Sequence, residues 1–334
     1  MNATVVARKG KKPTGLGNYS RNLIRELLRL DENIKVVLIP GKEIKLHKRG
    51  LGGMMYINLK LLSTKFKSDV VHSLNLQPLN PKINIITLHD LTPFKRKRMD
   101  RFLFKYIHLG RLKYMRRIIT PTNHVAEVAS NVTGLDRDRF TTIYYGLDHE
   151  TFTPSNKIPP EIEEDKYNLL YVGEVRRRKN IHLIIKAVSL LGEEYRLIKI
   201  GPDIDGYYKD ECLKLVGEGG VDFVDINYLP GSEIRHYYSN VDLLIYPSRE
   251  EGFGLPPLEA MACGTTSVVS DIPVFREVYQ NNVFYSEMNP EDLADKIEYA
   301  VKHRKDKLEL MDYTKRFTWE RAARETKKIY EESL

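Results

Sequence analysis

Two acidic side chains lie on either side of a glycine-bearing turn in the second half of the chain. Glu251 and Glu259 are eight positions apart within EEGFGLPPLEAMACG, residues 250–264. The strand-like run LLIYPS precedes this stretch, and its two prolines suit the first turn of a helix that Gly264 would end. Glu251 is therefore expected in a loop and Glu259 about one turn into a helix. Because the residues around Glu259 are apolar, its carboxylate needs partners such as hydroxyl groups.

A second candidate group is a run of cations in YVGEVRRRKNIHLI, residues 171–184. Four consecutive basic residues end at Lys179 and lie between a predicted strand and a predicted helix. Such a run is usually a solvated surface, and that alternative stays open. The loop follows a strand in a half of the chain with a negative net charge. We therefore predict that Arg178 and Lys179 neutralise a diphosphate.

Glycines after the first predicted strand could also contact a phosphate. Gly15 and Gly17, in KKPTGLGNYSRNL, follow that strand and open a predicted helix, whose N–H groups and positive end attract anions. A plain turn is an equally good interpretation. The third glycine of a dinucleotide-binding fingerprint is missing, and no acidic residue is placed after the second strand to bind a ribose. Both absences argue against a nicotinamide-dependent enzyme.

The elements that must position these residues alternate along the 334 residues. The strand-like runs are residues 3–7, 34–40, 68–74, 83–90, 116–122 and 140–146, followed by 167–173, 195–201, 221–226, 241–248 and 265–271, which closes the series. Residues 154–166 carry three prolines and a cluster of acids, as a linker between domains would. Strands separated by helices predict parallel sheets, here built twice. Ligands bind beyond the carboxyl ends of such strands, so the site is expected in the loops that follow them.

Charge and cysteine content narrow the class of protein. The net charge is +8, but residues 1–150 carry 28 Lys and Arg against 12 Asp and Glu, while residues 151–334 carry 25 against 33. A basic first half attracts a polyanion such as nucleic acid, an anionic membrane or a phosphorylated substrate. The two cysteines match no zinc spacing, and no apolar run is long enough for a signal peptide or a membrane helix. We predict a cytoplasmic protein.

Taken together, these motifs resemble the retaining nucleotide-sugar glycosyltransferases of family 4. The specific part is residues 241–264, VDLLIYPSREEGFGLPPLEAMACG, which contain the Glu-x7-Glu of that family. The order and spacing of GLGNYSRNL, TLHDLTP, ITPTNHVAEV, IYYGLDHETFTP, YVGEVRRRKN and SDIPVFREV support it along nearly the whole chain. The resemblance implies the α/β fold called GT-B, with two Rossmann-like doubly wound domains facing a cleft. Residues 1–155 would bind the acceptor, residues 156–316 would bind the donor, and a C-terminal helix at 317–334 would cross back to the N-terminal lobe.

The resemblance also implies roles for individual residues. At the reacting centre, Glu251 would lie by the donor sugar near its O3, and His89 would face the sugar near its C6. Arg178 and Lys179 would compensate the leaving diphosphate. The residues implied in donor binding are Glu259 for the ribose hydroxyls, the amides of Phe253, Gly254 and Leu255 for sugar and phosphate, and the Gly15–Gly17 loop for the diphosphate.

The chemistry implied is a metal-independent front-face substitution, in which the departing phosphate oxygen accepts the proton of the acceptor. The donor would be GDP-mannose or UDP-glucose, the acceptor a glycan or lipid-linked molecule, and no further cofactor would be needed. Two positions depart from the family pattern. Glu174 stands where many relatives carry an arginine, and Asp225 lies where a glycine is common, which puts base recognition in doubt.

Other interpretations remain open at this stage. A sugar-nucleotide epimerase or a phosphorylase could use the same fold. Residues 95–117 contain ten Lys and Arg against one acid with apolar residues between them. This stretch could lie on the inner face of an anionic membrane, or it could be a core helix with a solvated basic face. A nucleic-acid-binding protein would explain the basic half but not the two glutamates, so we expect no nucleic-acid partner.

Overall fold

The computed structural model describes residues 2–9, 15–40, 65–74, 80–90 and 110–334. The chain divides into two compact units. Unit 1 is Met1–Gly146 with Thr318–Leu334, and unit 2 is Leu147–Phe317.

Unit 1 contains a parallel sheet with the strand order β2-β1-β3-β4-β5-β6. Its strands are β1 (Ala3–Lys9), β2 (Lys35–Pro40), β3 (Val70–Ser73), β4 (Ile85–Thr87), β5 (Arg117–Thr120) and β6 (Phe140–Thr142). The helices among its described residues are α1 (Gly15–Leu30), a short α2 (Gly110–Leu112) and α3 (Asn123–Thr133). The strands are rich in Val and Ile that are fully buried, as expected where helices cover a parallel sheet.

Unit 2 contains a second parallel sheet with the order β12-β11-β10-β7-β8-β9. Its strands are β7 (Tyr167–Val172), β8 (Tyr195–Ile200), β9 (Asp222–Ile226), β10 (Leu243–Tyr246), β11 (Ser267–Ser270) and β12 (Phe284–Ser286). Its helices are α4 (Ile181–Val188), α5 (Gly206–Gly219), α6 (Gly231–Asn240), α7 (Leu255–Ala262), α8 (Pro273–Tyr279), α9 (Pro290–Lys302) and α10 (Lys307–Thr314). The final helix of the chain, α11 (Trp319–Glu332), belongs to unit 1.

The predicted end of the strand series at residues 265–271 is wrong. The structure adds β12, which pairs in parallel with β11 at the edge of the second sheet. Its three residues, Phe284–Ser286, are too short to show a strand period. With this strand, unit 2 has the six-stranded Rossmann order, and the prediction of two doubly wound Rossmann-like domains is confirmed.

The strand order of unit 2 creates a switch point between β7 and β10. From β7, the chain continues through β8 to β9 on one side of the sheet and then returns to place β10 on the other side. After these two neighbouring strands the chain therefore proceeds in opposite directions along the sheet, and the crevice outside their carboxyl ends is the usual ligand position in such sheets. The loops that follow these strands carry the cation run and Glu251.

The last helix is held on unit 1 by a buried polar network. The Nδ1 atom of His72, on β3, is 2.6 Å from the hydroxyl of Tyr330 on α11, and its Nε2 atom is 2.8 Å from Oγ1 of Thr87. All three residues are fully buried. Burial lowers the pKa of His72 to about 3, so the ring stays neutral at pH 7. The predicted return of the C-terminal helix to the first domain is confirmed.

Most of the basic stretch at residues 95–117 lies outside the described residues, which begin again at Gly110. Its proposed membrane contact therefore stays a prediction. Within the part of the chain that the structure describes, no helix combines the length and the apolar character needed to cross a membrane.

The hydroxyl of Tyr330 can be tested for its contribution to stability. We expect Tyr330→Phe to lower the free energy of unfolding by about 1–3 kcal/mol, because the buried Nδ1 of His72 loses its partner. Tyr207, which is 77% exposed, provides a matched control, and Tyr207→Phe should change stability by less than about 0.5 kcal/mol. Urea denaturation measures both; equal midpoints for Tyr330→Phe and the wild type would contradict this role of the network.

Candidate active site

Two loops of unit 2 meet at the carboxyl edge of the sheet. Residues 173–180 connect β7 to α4, and residues 247–254 connect β10 to α7. The two strands are parallel neighbours, so both loops leave the sheet at the same edge. A hydrogen bond of 2.9 Å from the amide of Arg249 to the carbonyl of Arg178 joins the loops directly.

The basic residues of the cation run have different ion-pair partners. Arg178 and Lys179 both turn toward Glu251, at 3.2 Å and 2.5 Å. Arg177, in the same single turn of 3-10 helix, instead pairs with Glu211 of α5 at 2.6 Å. The two cations chosen from the sequence are therefore the two that reach the first acid of the Glu-x7-Glu pattern.

Glu251 is held as a carboxylate by several partners. Its Oε1 atom accepts hydrogen bonds from Lys179, from the hydroxyl of Ser248 at 2.7 Å and from the hydroxyl of Tyr246 at 3.0 Å. The Tyr246 hydroxyl in turn accepts from Lys179. Burial alone would raise the pKa of Glu251, but Lys179 and Arg178 outweigh it and lower the pKa to about 2. Burial lowers the pKa of Lys179, although its contact with Glu251 opposes that shift.

This cluster, Glu251 with Arg178 and Lys179, is largely shielded from solvent. The exposed fractions of the three side chains are 9%, 26% and 12%, respectively. Two cations face one carboxylate, so the cluster retains an excess positive charge. Weak solvent screening makes such a charge effective toward an anion.

The N-terminus of α7 lies directly after this cluster. The helix begins at Leu255, and the next two residues are Pro256 and Pro257, which have no N–H groups. The first turn of a helix normally leaves four N–H groups without intrahelical acceptors, and here the prolines remove two of them. The amides of Gly254 and Leu255 are thereby left at the positive end of the helix. Phe253, which comes two residues before the helix, is 2% exposed, so its ring is packed inside the protein.

Glu259 has a different environment from Glu251. It lies on α7 and is partly buried, and its Oε2 atom accepts a hydrogen bond of 2.9 Å from the hydroxyl of Tyr238 on α6. This hydroxyl is the kind of partner that the apolar sequence around Glu259 predicts. Burial raises the pKa of Glu259 to about 7, with a further contribution from the negative charge of Asp148, while the bond from Tyr238 opposes the shift. No cation pairs with Glu259 among the described residues.

The remaining predicted site residues lie in unit 1. Gly15 and Gly17 form the first turn of α1, so both are helical, as predicted. The residues immediately before them, 10–14, lie outside the described part of the chain. A phosphate-binding role for this turn stays a prediction.

His89 follows β4, and both of its ring nitrogens are bonded within unit 1. Nε2 donates to the carbonyl of Leu74 at 2.7 Å, which leaves Nδ1 to accept from the hydroxyl of Tyr145 at 2.5 Å. Tyr19 contacts the ring edge-on, with 4.7 Å between the ring centroids. Burial lowers the pKa of His89. The imidazole is therefore fixed as a neutral ring whose nitrogens are both in use.

Asp225, where the sequence departs from the family pattern, is committed to ion pairs. It lies on β9 and pairs with Lys199 at 2.6 Å and with Lys209 at 3.3 Å. Both lysines also reach Asp203, which closes a group of alternating charges. Lys199 is only 1% exposed, so Asp225 supplies part of the compensation that this buried cation needs.

Several residues of the site were not identified from the sequence. Tyr246 and Ser248 flank the end of β10 and complete the shell of Glu251, and Tyr238 is the partner of Glu259. The motif YPS before the two acids could have pointed to the first two. Tyr238 gave no local signal, because it reaches Glu259 from a different helix.

Residues 153–317 match the model of the family described as Glycosyl transferases group 1. The match covers nearly all of unit 2. The cluster around Glu251, the N-terminus of α7 and Glu259 all lie within the matched residues.

Relatives of this domain include two named mannosyltransferases. The O-antigen chain mannosyltransferase RfbU of Salmonella typhimurium is 30% identical over 209 residues, which cover 62% of this chain and 57% of that protein. The O-antigen chain mannosyltransferase B of Escherichia coli is 28% identical over 235 residues, covering 64% of this chain and 60% of that protein. The chain thus spans less than two thirds of the length of these curated relatives.

Solved structures match over nearly the whole chain. HepE from Anabaena, crystallised with UDP and glucose, aligns with 99% of this chain and 100% of its own, with a TM-score of 0.79 and 15% identity. At this identity the likeness concerns the fold, and it agrees with the predicted GT-B fold.

The backbone at Gly254 provides a test of how unit 2 forms the N-terminus of α7. Gly254 has a φ of +90°, and an added Cβ would lie 2.6 Å from the hydroxyl of Tyr279 and 2.7 Å from the ring of Phe275. We expect Gly254→Ala to lower the free energy of unfolding by about 2–4 kcal/mol, since it adds both backbone strain and a clash.

Gly206, at the start of α5, provides the control. An added Cβ there meets nothing within 4 Å, so Gly206→Ala should be neutral or stabilise by up to about 1 kcal/mol. Thermal and urea unfolding compare the two variants. Similar stability for both would show that Gly254 is not constrained in this way.

Proposed function

We propose that this protein is a retaining glycosyltransferase that moves a hexose from a nucleoside diphosphate to a glycan or lipid-linked acceptor. The observation that carries the proposal is the cluster of Arg178, Lys179 and Glu251 beside the N-terminus of α7, at the switch point of a glycosyltransferase domain. This arrangement offers a fixed positive charge and helix-end amides at one place, which is what a diphosphate leaving group requires.

The reaction breaks the bond between the anomeric carbon and the diphosphate oxygen. The oxygen of the acceptor hydroxyl forms the new bond on the same face of the sugar, and its proton passes to the departing phosphate oxygen. Negative charge develops on the diphosphate, where Arg178 and Lys179 stabilise it without a metal ion. We assign no proton transfer to His89, because both of its ring nitrogens are already bonded.

The two acids contact different parts of the donor in this proposal. Glu259 accepts hydrogen bonds from the ribose hydroxyls, a role supported by its partly buried carboxylate, which accepts a hydrogen bond from Tyr238 and forms no ion pair within the described part of the chain. Glu251 stays ionised beside the sugar and orients the two cations. The amides of Gly254 and Leu255 bind the sugar hydroxyls and phosphate between them.

The donor is proposed to be GDP-mannose or UDP-glucose. The names of the two mannosyltransferase relatives favour a mannosyl donor, whereas the similar fold of HepE was solved with UDP and glucose. The same relatives are named for O-antigen chains, which supports a glycan acceptor and a role in polysaccharide biosynthesis.

A donor screen followed by product analysis tests the proposed function. We expect GDP-mannose or UDP-glucose to raise the melting temperature, because a ligand that binds the folded state stabilises it. The nucleotide sugar that binds is then incubated with glycan and lipid-linked acceptors, and we expect a product with retained anomeric configuration by NMR and the same rate with EDTA. Arg178→Ala should weaken donor binding by about ten- to a hundredfold.

Arg177→Ala is the matched control, since Arg177 carries the same charge but pairs with Glu211. It should keep donor affinity within about twofold of the wild type. Conversion of the donor to an epimer without acceptor would instead indicate an epimerase. An inverted product, or activity that requires Mn²⁺, would contradict the retaining or the metal-free mechanism. Nucleic-acid binding that is equally tight in Glu251→Ala would argue for a different class of protein.

The raised pKa of Glu259 makes donor affinity depend on pH. Ribose hydroxyls donate to the ionised carboxylate, which is the minor form below a pKa of about 7. We expect the Kd of the donor to fall by about tenfold from pH 6 to pH 8 as this form becomes populated. Calorimetry should use the intact nucleotide sugar, because a terminal phosphate has its own pKa near about 6.

Glu259→Gln removes the titrating group and provides the comparison. This variant should bind the donor more weakly and with little change between the two pH values. Tyr238 donates to this carboxylate, and burial raises the pKa of its hydroxyl well above the ordinary value, so it stays neutral in that range. A wild-type affinity that is independent of pH would contradict the ribose contact.

A further inference from the structure

Asn180 has an unusual backbone conformation for a buried residue. Its φ and ψ are 64° and 29°, in the left-handed region, and it is 1% exposed. Among the described residues, Gln280 is the only other non-glycine residue with a positive φ. Asn180 ends the turn that carries Arg178 and Lys179 and directly precedes α4. Asparagine adopts this conformation at a lower cost than most residues other than glycine.

The side chain of Asn180 is not used to cap the helix that it precedes. An asparagine at this position commonly accepts a hydrogen bond from an amide in the first turn, but Asn180 makes no such bond. Its Oδ1 atom instead accepts from Nε of Arg249, at 3.1 Å. Arg249 lies in the other loop of the site, one residue after Ser248 and two before Glu251.

Bonds from the two loops converge on the cluster around Glu251. The amide of Arg249 donates to the carbonyl of Arg178 at 2.9 Å, and the Arg178 side chain donates to the carbonyl of Glu250 at 2.5 Å. The contact between Asn180 and Arg249 adds a side-chain bond on the other flank of Lys179. The loop that supplies the cations is thus fixed to the loop that supplies the carboxylate on both sides of Lys179.

We propose that Asn180 is a positioning residue: its left-handed turn and its bond to Arg249 hold Arg178 and Lys179 where they meet the diphosphate of the donor. This inference rests on the proposed function. It assigns to Asn180 and Arg249 no contact with the donor. They act through Arg178 and Lys179. We therefore expect them to affect the binding only of ligands that carry the phosphate contacted by these two cations.

Four variants distinguish the contribution of the left-handed turn from that of the hydrogen bond between Asn180 and Arg249. Asn180→Asp keeps both an acceptor for Arg249 and a tolerance for the left-handed region, whereas Asn180→Gly keeps only the conformation. Asn180→Ala keeps neither. Arg249→Ala removes the bond from the other loop, and because Arg249 is exposed this variant is expected to fold even if Asn180→Ala does not.

The ratio of diphosphate to monophosphate affinity reports whether Arg178 and Lys179 are correctly positioned. The affinities of UDP, UMP, GDP and GMP are measured by calorimetry at about pH 8, using the base that binds the wild type. We expect the ratio of diphosphate to monophosphate affinity to fall by about tenfold in Asn180→Ala and by about threefold in Asn180→Gly and Arg249→Ala. Asn180→Asp and Arg177→Ala should keep the wild-type ratio, and Glu259→Gln should weaken both nucleotides alike.

The labelling rate of Lys179 provides a measurement that needs no nucleotide. The side chain of Lys179 is 12% exposed and its amine is bonded to Glu251 and Tyr246, so an amine-reactive reagent should modify it slowly in the wild type. Mass spectrometry should show labelling several-fold faster in Asn180→Ala, and a wild-type rate in Asn180→Asp. A loss of stability alone, without movement of Lys179, would leave both the affinity ratio and the labelling rate unchanged.

The possible outcomes distinguish this inference from the proposed function. A wild type that prefers the diphosphate, with the same preference in Asn180→Ala and Arg249→Ala, would overturn the positioning role and leave the proposed function intact. A wild type that binds neither UDP nor GDP would overturn the proposed donor. In that case only the labelling rate tests whether Asn180 holds Lys179 in place. Equal rates in all variants would refute this positioning role.

Discussion

The site of unit 2 depends on one buried ion cluster. Glu251, with 9% of its side chain exposed, would be unfavourable as an isolated anion in this position. Lys179, Arg178 and two hydroxyl groups compensate it, so the carboxylate stays ionised. Removal of one partner from such a cluster commonly costs about 3–5 kcal/mol, since an unpaired charge is left behind. The cluster therefore fixes the two loops that follow β7 and β10 relative to each other.

The two glutamates of one short motif show how strongly the surroundings determine ionisation. Glu251 lies among cations and has a pKa of about 2, whereas Glu259, eight residues later, has a phenol as partner and a pKa of about 7. The first is a permanent anion that orders cations. The second can gain or lose a proton near neutral pH and suits hydrogen-bond donors such as hydroxyls. Opposite shifts in neighbouring acids are typical of sites in which each carboxylate has its own task.

The polar residues of unit 1 have a different character. His72 and His89 each have both ring nitrogens bonded to protein groups, and burial keeps both rings neutral. In His72 the bonds tie α11 to the first sheet, which explains how a helix at the end of the chain becomes part of the first unit. Unit 1 thus combines residues from the first part of the chain with Thr318–Leu334.

The sequence by itself predicted the fold class correctly and supplied the residues proposed for the candidate site. Alternating strand and helix patterns, interrupted at residues 154–166, were enough to predict two parallel-sheet domains, since these periods follow from the backbone. The cation run, the glycine-bearing turn and the two acids could be picked out as candidates because each group lies within one short stretch of the sequence. The short edge strand β12 was missed, since three residues carry no period.

Only the tertiary structure decided which of the adjacent charges act together. Arg177 and Arg178 are neighbours in the sequence with the same chemistry, but one pairs with Glu211 and the other with Glu251. The roles of Tyr238, Asn180 and Arg249 likewise depend on contacts between segments far apart in the chain. A linear pattern records which side chains are present, whereas their partners, their burial and their pKa values are set by the strand order that brings two loops to one edge of the sheet.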